Sequence, residues 1–305
     1  MNFLEHCLLL LGLPFGMIVA GYWLAARLTD VSAAERLAVA TLMGLAGLLW
    51  NIAAVNFFKP LSGPWAWICL WPAAITILLP SARRMLVRDA ISVAMNRRGA
   101  IAGALAASFL TLLLWPLLSR SSLVFYDGTS NHDAFFWISA AEHLKRHTYM
   151  EMPATSMLHP LTNATPAIIG WKPAWGRMGA EGLLAFASSL IGLAPLKLYL
   201  AATATLLVPW IAAVFLAVRT FWVGRLSLIA TFALIIFQPV FVFFHGNSNL
   251  PNFVGALTAA AVVIATERSL RPGSGRWVWW VLLAFSLHGL LCSYPEMLPF
   301  VVIPG

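Results

Sequence analysis

Apolar runs of about 15–20 residues recur along this chain, and they decide what it can fold into. The pattern argues against a transmembrane barrel, because its strands alternate apolar and polar side chains. The composition agrees with helices in lipid. Of 305 residues, 61% are hydrophobic and only 10% are charged, against about 25% in an ordinary soluble domain. Soluble globular, disordered and disulfide-scaffold classes fall away together. The expected fold is all-α: a polytopic transmembrane helix bundle.

Eight spans are expected, at roughly Leu8–Ala26, Leu37–Phe58, Trp65–Leu79, Ala100–Leu118, Leu198–Val218, Leu226–Phe244, Leu250–Ile264 and Val278–Pro295. They divide the chain into a four-span membrane region (1–118), an extracytoplasmic loop with interfacial helices (119–195) and a second four-span region (196–305). The end at Val301–Gly305 follows straight on an apolar stretch, as if a longer protein had been cut. No Lys or Arg precedes the first run, which argues against a cleaved signal peptide.

The net charge of +8 sets orientation rather than a partner. Most basic residues crowd into alternate short connections: Arg27 and Arg36, then Arg83, Arg84, Arg88, Arg97 and Arg98, then Arg219 and Arg225, then Arg268, Arg271 and Arg276. The positive-inside rule places these in the cytoplasm and the N-terminus outside. A bacterial inner (plasma) membrane is the expected location, the bilayer the expected surroundings, and nucleic acid no partner. The apolar segment Leu183–Leu193 is too short to span and is expected as an interfacial or re-entrant helix at the outer surface. Cys7, Cys69 and Cys292 lie in or beside apolar runs without metal spacing, as small packing residues do. Gly99, Gly103 and Ala107 offer a small-residue face for a neighbouring helix.

The polar chemistry gathers in the loop. Asp127, Asp133, Glu142, Glu151 and Glu181 are five of the eleven acids, and His132, His143, His147 and His159 four of the seven histidines. Ionisable residues are scarce at mid-membrane, which counts against an ion-coupled transporter. Ser130-Asn131-His132-Asp133 reads as a helix N-cap, opening a helix from about Asn131 to Arg146. Asp133 and Asp127 are the leading candidates, as general base or as ligands of a divalent cation. The structural alternatives are a capping acid at Asp133 and a plain turn at Asp127-Gly128. His143 and His147 share the i, i+4 spacing of a metal pair, yet lack a third ligand, and a solvated helix face accounts for them better. Glu296, after Ser293-Tyr294-Pro295, faces either the same outer space or simply the interface. Lys172 and Arg177 are candidate phosphate contacts, or residues touching lipid headgroups.

Asp133-Ala134-Phe135-Phe136-Trp137 through Ala140-Ala141-Glu142-His143-Leu144 resembles a pattern of the GT-C class of integral-membrane glycosyltransferases. That class includes protein mannosyltransferases and the aminoarabinose transferases of lipid A. Gly179-Ala180-Glu181-Gly182 into Leu193, with Pro195 and Tyr199, resembles the way such enzymes return to the membrane. The N-terminal part is more similar to uncharacterised bacterial proteins with a related core. In the class the large loop follows the first span and its acids stand in near-adjacent pairs. Here the loop follows the fourth span, and His132 precedes Asp133.

The resemblance implies transfer of a sugar from a polyprenyl-phosphate carrier to an acceptor on the extracytoplasmic face. It implies Asp133 as base or metal ligand, with Asp127 and Glu296 as helpers and Mg or Mn as the cation. Lys172, Arg177, His132 and Trp137 would contact the lipid-linked donor. The rival expectations are a transporter or lipid flippase, and a non-catalytic scaffold whose loop binds a partner.

Overall fold

A computed structural model describes residues 3–97, 99–101, 103–104, 107–108, 133–151, 178–221, 250–273 and 275–302. Among the described residues every regular element is a helix, as expected. Four helical stretches are long and apolar enough to cross a membrane: Ala33–Phe58, Pro195–Phe221, Leu250–Leu270 and Arg276–Ser293. A helix is the natural answer to an apolar run in lipid, because it satisfies every backbone donor and acceptor within its own segment.

The expectation of eight spans is therefore corrected to four such helices among the described residues. The third expected span, Trp65–Leu79, is not one helix. It is two short ones, α3 (Pro64–Ile68) and α4 (Trp71–Leu78), separated by a turn at Cys69 and Leu70. Pro72 is the cause: it lacks the N–H a continuing helix needs, and its ring clashes with the carbonyl four residues back. The next helix, α5 (Pro80–Met95), again opens on a proline. The first expected span is part of α1 (Phe3–Ala25), whose apolar portion Leu10–Ala25 falls short of spanning length. Leu226–Phe244 and most of Ala100–Leu118 lie outside the described residues.

The centre of the bundle is α2 (Ala33–Phe58), which touches α1, α5 and most of the later helices. It pairs with α1 at backbone distance. A Cβ on Gly21 would collide with the Ala40 carbonyl, and one on Gly44 with that of Met17. Two glycines on facing helices thus let the chains meet where no other residue fits. The break between α3 and α4 is also answered by α2. Asn51 donates its amide to the Cys69 carbonyl at 3.2 Å and accepts from the Trp71 indole at 3.1 Å.

After α6 (Asp133–Arg146) and α7 (Gly179–Ile191), the chain turns at Gly192, whose φ of 77° suits glycine. Then follow α8 (Pro195–Thr205) and α9 (Leu207–Phe221), joined at Leu206. Last come α10 (Leu250–Leu270) and α11 (Arg276–Ser293), an antiparallel pair, then a single 3-10 turn at Pro295–Met297 and a short helix, α12 (Leu298–Val302). The short segment expected at an interface is α7, and it lies inside. Every residue from Gly179 to Ser188 is buried, and the helix touches α2, α6, α8, α10 and α11.

The arginine-bearing connections meet at one end of the bundle. Arg36 grips Asp89 of α5 with two bonds, Nε to Oδ2 at 2.6 Å and Nη2 to Oδ1 at 3.0 Å. Tyr22 of α1 donates its hydroxyl to the same carboxylate at 2.5 Å. Next door, Glu35 closes a capping box with Ser32. Its carboxylate also accepts from Arg268 of α10 at 3.0 Å and lies 3.7 Å from Arg219 of α9. Arg268 reaches Thr220 as well, so one acid at the start of α2 ties the ends of α9 and α10 to it. Four connections far apart in sequence thus share one end, as their common basic character led us to expect.

Candidate functional site

At the opposite end, α6 packs its buried stripe of Trp137, Ile138, Ala141 and Leu144 against the bundle core. What holds its far end in place is Asn56, near the end of α2. The Asn56 amide donates to the carbonyls of Lys59, Leu144 and His147, each at 3.2 Å. The Asn56 carbonyl accepts from the Tyr149 backbone, and the Leu61 backbone donates to Leu144. Helix C-termini carry carbonyls without intrahelical partners, and here a side chain of another helix meets them.

Between α2, α7, α11 and the end of α6 lies a cavity of about 350 Å³. Its walls are mostly apolar, from Trp50, Ile52, Phe57, Phe58, Leu144 and Met178. A polar fringe comes from Asn56, Tyr149, His288 and Cys292. His288 and Cys292 stand i, i+4 on α11, the thiol 3.4 Å from Nε2. The Trp50 ring meets the His288 imidazole edge-on, with centroids 4.5 Å apart. Gly179 and Gly182 line this space and let α7 approach its neighbours closely, for a Cβ on them would strike Ser293 and Ile52. Close by, Glu181 is 1% exposed in the first turn of α7, where the helix dipole favours an acid. Burial, with Cys292 and Glu181 nearby, pushes the Tyr149 hydroxyl above its ordinary pKa, so it stays protonated and able to donate. An apolar cavity with such a fringe suits a lipid chain better than a charged solute.

The expected site residues are only partly in view. Asp133 is the first residue of α6, within two residues of the expected helix start, while its side chain lies outside the described residues. Asp127, His132, Lys172 and Arg177 also lie outside them. Trp137 is 8% exposed and packs in the core cluster rather than on an open sugar-binding face. Glu296 is half-buried in the 3-10 turn that follows α11. His143 and His147 stack at 4.6 Å, and both engage Glu151: His147 Nδ1 lies 2.9 Å from its carboxylate and His143 Nε2 3.1 Å from its carbonyl. Among the described residues no group of three or more His, Cys, Asp or Glu is placed to hold a metal ion.

Sequence reasoning missed Asn56, Tyr149, Glu181, His288 and Cys292. For Asn56 a signal existed. An amide in an apolar helix must find partners, and α2 carries two, Asn51 and Asn56. For Glu181 the flanking Gly179, Ala180 and Gly182 were the clue, since small neighbours let other helices close over an acid. Compared with known proteins, the chain matches no family model, no curated protein and no solved structure.

Proposed function

We propose that the protein is a membrane glycosyltransferase of GT-C type, moving a sugar from a polyprenyl-phosphate carrier to an acceptor. The observation that supports this reading is the apolar cavity of about 350 Å³ at the end where α6 packs. One helix serves both tasks. Its start is Asp133, and Leu144 on the cavity wall lies eleven residues later, about 16 Å along the axis. The lipid chain occupies the cavity, and its sugar phosphate extends toward the start of α6. Asp133 takes the proton of the acceptor hydroxyl as that oxygen attacks the anomeric carbon, and the polyprenyl phosphate leaves with the bonding pair. Glu296 and Asp127 assist at the same face, and Lys172 and Arg177 meet the phosphate. A divalent cation would be held by Asp133 and Asp127 and would offset the negative charge of the phosphate.

In this reading the arginine end is cytoplasmic, the loop-bearing end and the N-terminus are outside, and the membrane is a bacterial inner membrane. A lipid flippase would also need an apolar cavity, but it would not need Asp133. The deciding experiment is Asp133→Asn assayed for transfer from polyprenyl-phosphate sugars, in vesicles of each orientation. Loss of a base lowers turnover by about 10²–10⁴. Unchanged turnover in a variant that elutes as a folded protein removes the assignment.

A further inference from the structure

Helix α5 differs from every other helix at the arginine end. Its single acid, Asp89, is 2% exposed and faces the bundle, already held by Arg36 and Tyr22. The rest of its charge points the other way. Arg83, Arg84 and Arg88 are exposed. Among the described residues no ion pair involves Arg83 or Arg84, and Arg88 has only a loose contact of 3.9 Å with the engaged Asp89. Arg84 adds one bond to the Pro80 carbonyl at the start of its own helix. By contrast, Arg36 and Arg268, at the same end, are spent on buried acids.

Between these arginines runs a row of apolar side chains that the fold leaves uncovered. Val87, Ile91 and Met95 follow at i, i+4 and i+8 on the side away from Asp89, and they are 52%, 57% and 81% exposed. Arg84 and Arg88, also i, i+4, lie along one edge of this row, and Arg83 along the other. A water-facing helix has no reason to expose that row, and a lipid-immersed helix has no place for three exposed arginines. The boundary between headgroups and acyl chains accommodates both. Apolar side chains enter it, and arginine stems lie along it with their guanidinium groups among phosphates.

We propose that α5 lies in the headgroup layer at the arginine end and holds anionic phospholipid against Arg83, Arg84 and Arg88. The absence of an exposed acid on the helix selects a negatively charged lipid over a zwitterionic one. Asp89 fixes the rotation: gripped by Arg36, it turns the basic and apolar face outward.

The test uses the whole chain, reconstituted in phosphatidylcholine bilayers with phosphatidylglycerol as the minor component. The protein is then extracted in mild detergent, and the lipid that purifies with it is weighed by mass spectrometry. Wild type retains phosphatidylglycerol above its share of the bilayer. R83Q/R84Q/R88Q lowers that excess by about twofold or more, and high salt during extraction does the same to wild type. V87S/I91S lowers total retained lipid. R146Q, an exposed arginine at the opposite end, changes nothing. All of these positions are exposed, and an unchanged elution profile confirms that each variant is folded. Retention by R83Q/R84Q/R88Q equal to wild type overturns the proposal, and so does a loss no larger than that of R146Q. An acidic protein partner or a second copy on this face would give that same unchanged retention.

Discussion

The two ends of the bundle are built on different principles. At the arginine end, charges do the joining: Arg36 with Asp89, and Arg268 and Arg219 with Glu35, connect α1, α2, α5, α9 and α10. At the other end the joining groups are neutral. The Asn56 amide meets three carbonyls, and an apolar cavity replaces the charge network. A charge network is rigid, because each ion left without its partner in a dry site is costly. An amide cap around a cavity leaves space for something else to bind. One end is thus held by ion pairs, and the other keeps an open apolar space.

Asp89→Ala is the variant that would break this contrast most severely. It leaves Arg36 buried without its anion, a loss of about 3 kcal/mol or more in stability. Thermal unfolding of the purified protein in detergent reads it. Replacing both partners, Arg36→Met with Asp89→Leu, recovers much of the loss, because no lone charge then stays buried. The pH dependence has a definite sign. Burial alone would raise the Asp89 pKa, but the hydrogen bonds from Arg36 and Tyr22 and the charge of Arg36 hold it below the ordinary value. Its contribution is therefore fully present above the unfolded pKa, near 4, and is lost as the pH falls below that value toward the folded one. If Asp89→Ala melts where wild type does, the ionic end is not the anchor.

Asn56→Leu comes next and acts at the other end. It removes a side-chain donor that three carbonyls share, a loss of about 1–3 kcal/mol, with the Leu144 carbonyl keeping its bond from the Leu61 backbone. Its local signature is separable from global unfolding. Hydrogen exchange should quicken in Leu144–Tyr149 and leave the Ser32–Glu35 cap unchanged. Equal quickening at both ends would mean that the two are one cooperative unit and the contrast is false.

How much of this was legible follows the same division. The arginine end could be read because its signal is a count of charges in short connections, which the bilayer sorts by side. The helix over Asp133–Arg146 was legible from its composition. The break at Pro72 is harder to read: hydropathy over Trp65–Leu79 is continuous, and only the missing N–H tells against one helix. The burial of α7 was not legible, because a short, largely apolar segment fits an interface as well as an interior until its neighbours are known. The cavity fringe was hidden for the same reason. His288 and Cys292 reach Tyr149 only through tertiary packing, some 140 residues apart in the chain.

The smallest effect concerns the exposed end of α6. His147 and Glu151 are both exposed, and their contact of 2.9 Å sits at the end of α6 in solvent. The Glu151 carboxyl is held below its ordinary pKa by its bonds with His147 and Thr148. What it contributes is present above the unfolded carboxyl value and disappears as the pH falls through the folded one, well clear of neutrality. Water and salt screen an exposed pair of this kind. Glu151→Gln should therefore leave the melting temperature at neutral pH unchanged within error, and added zinc should not shift it. A clear zinc-dependent rise in wild type that Glu151→Gln abolishes would make this helix end a ligand site. The neutral end would then carry a charge-built centre of its own, and the division between an ionic end and a neutral one would have to be redrawn around His143, His147 and Glu151.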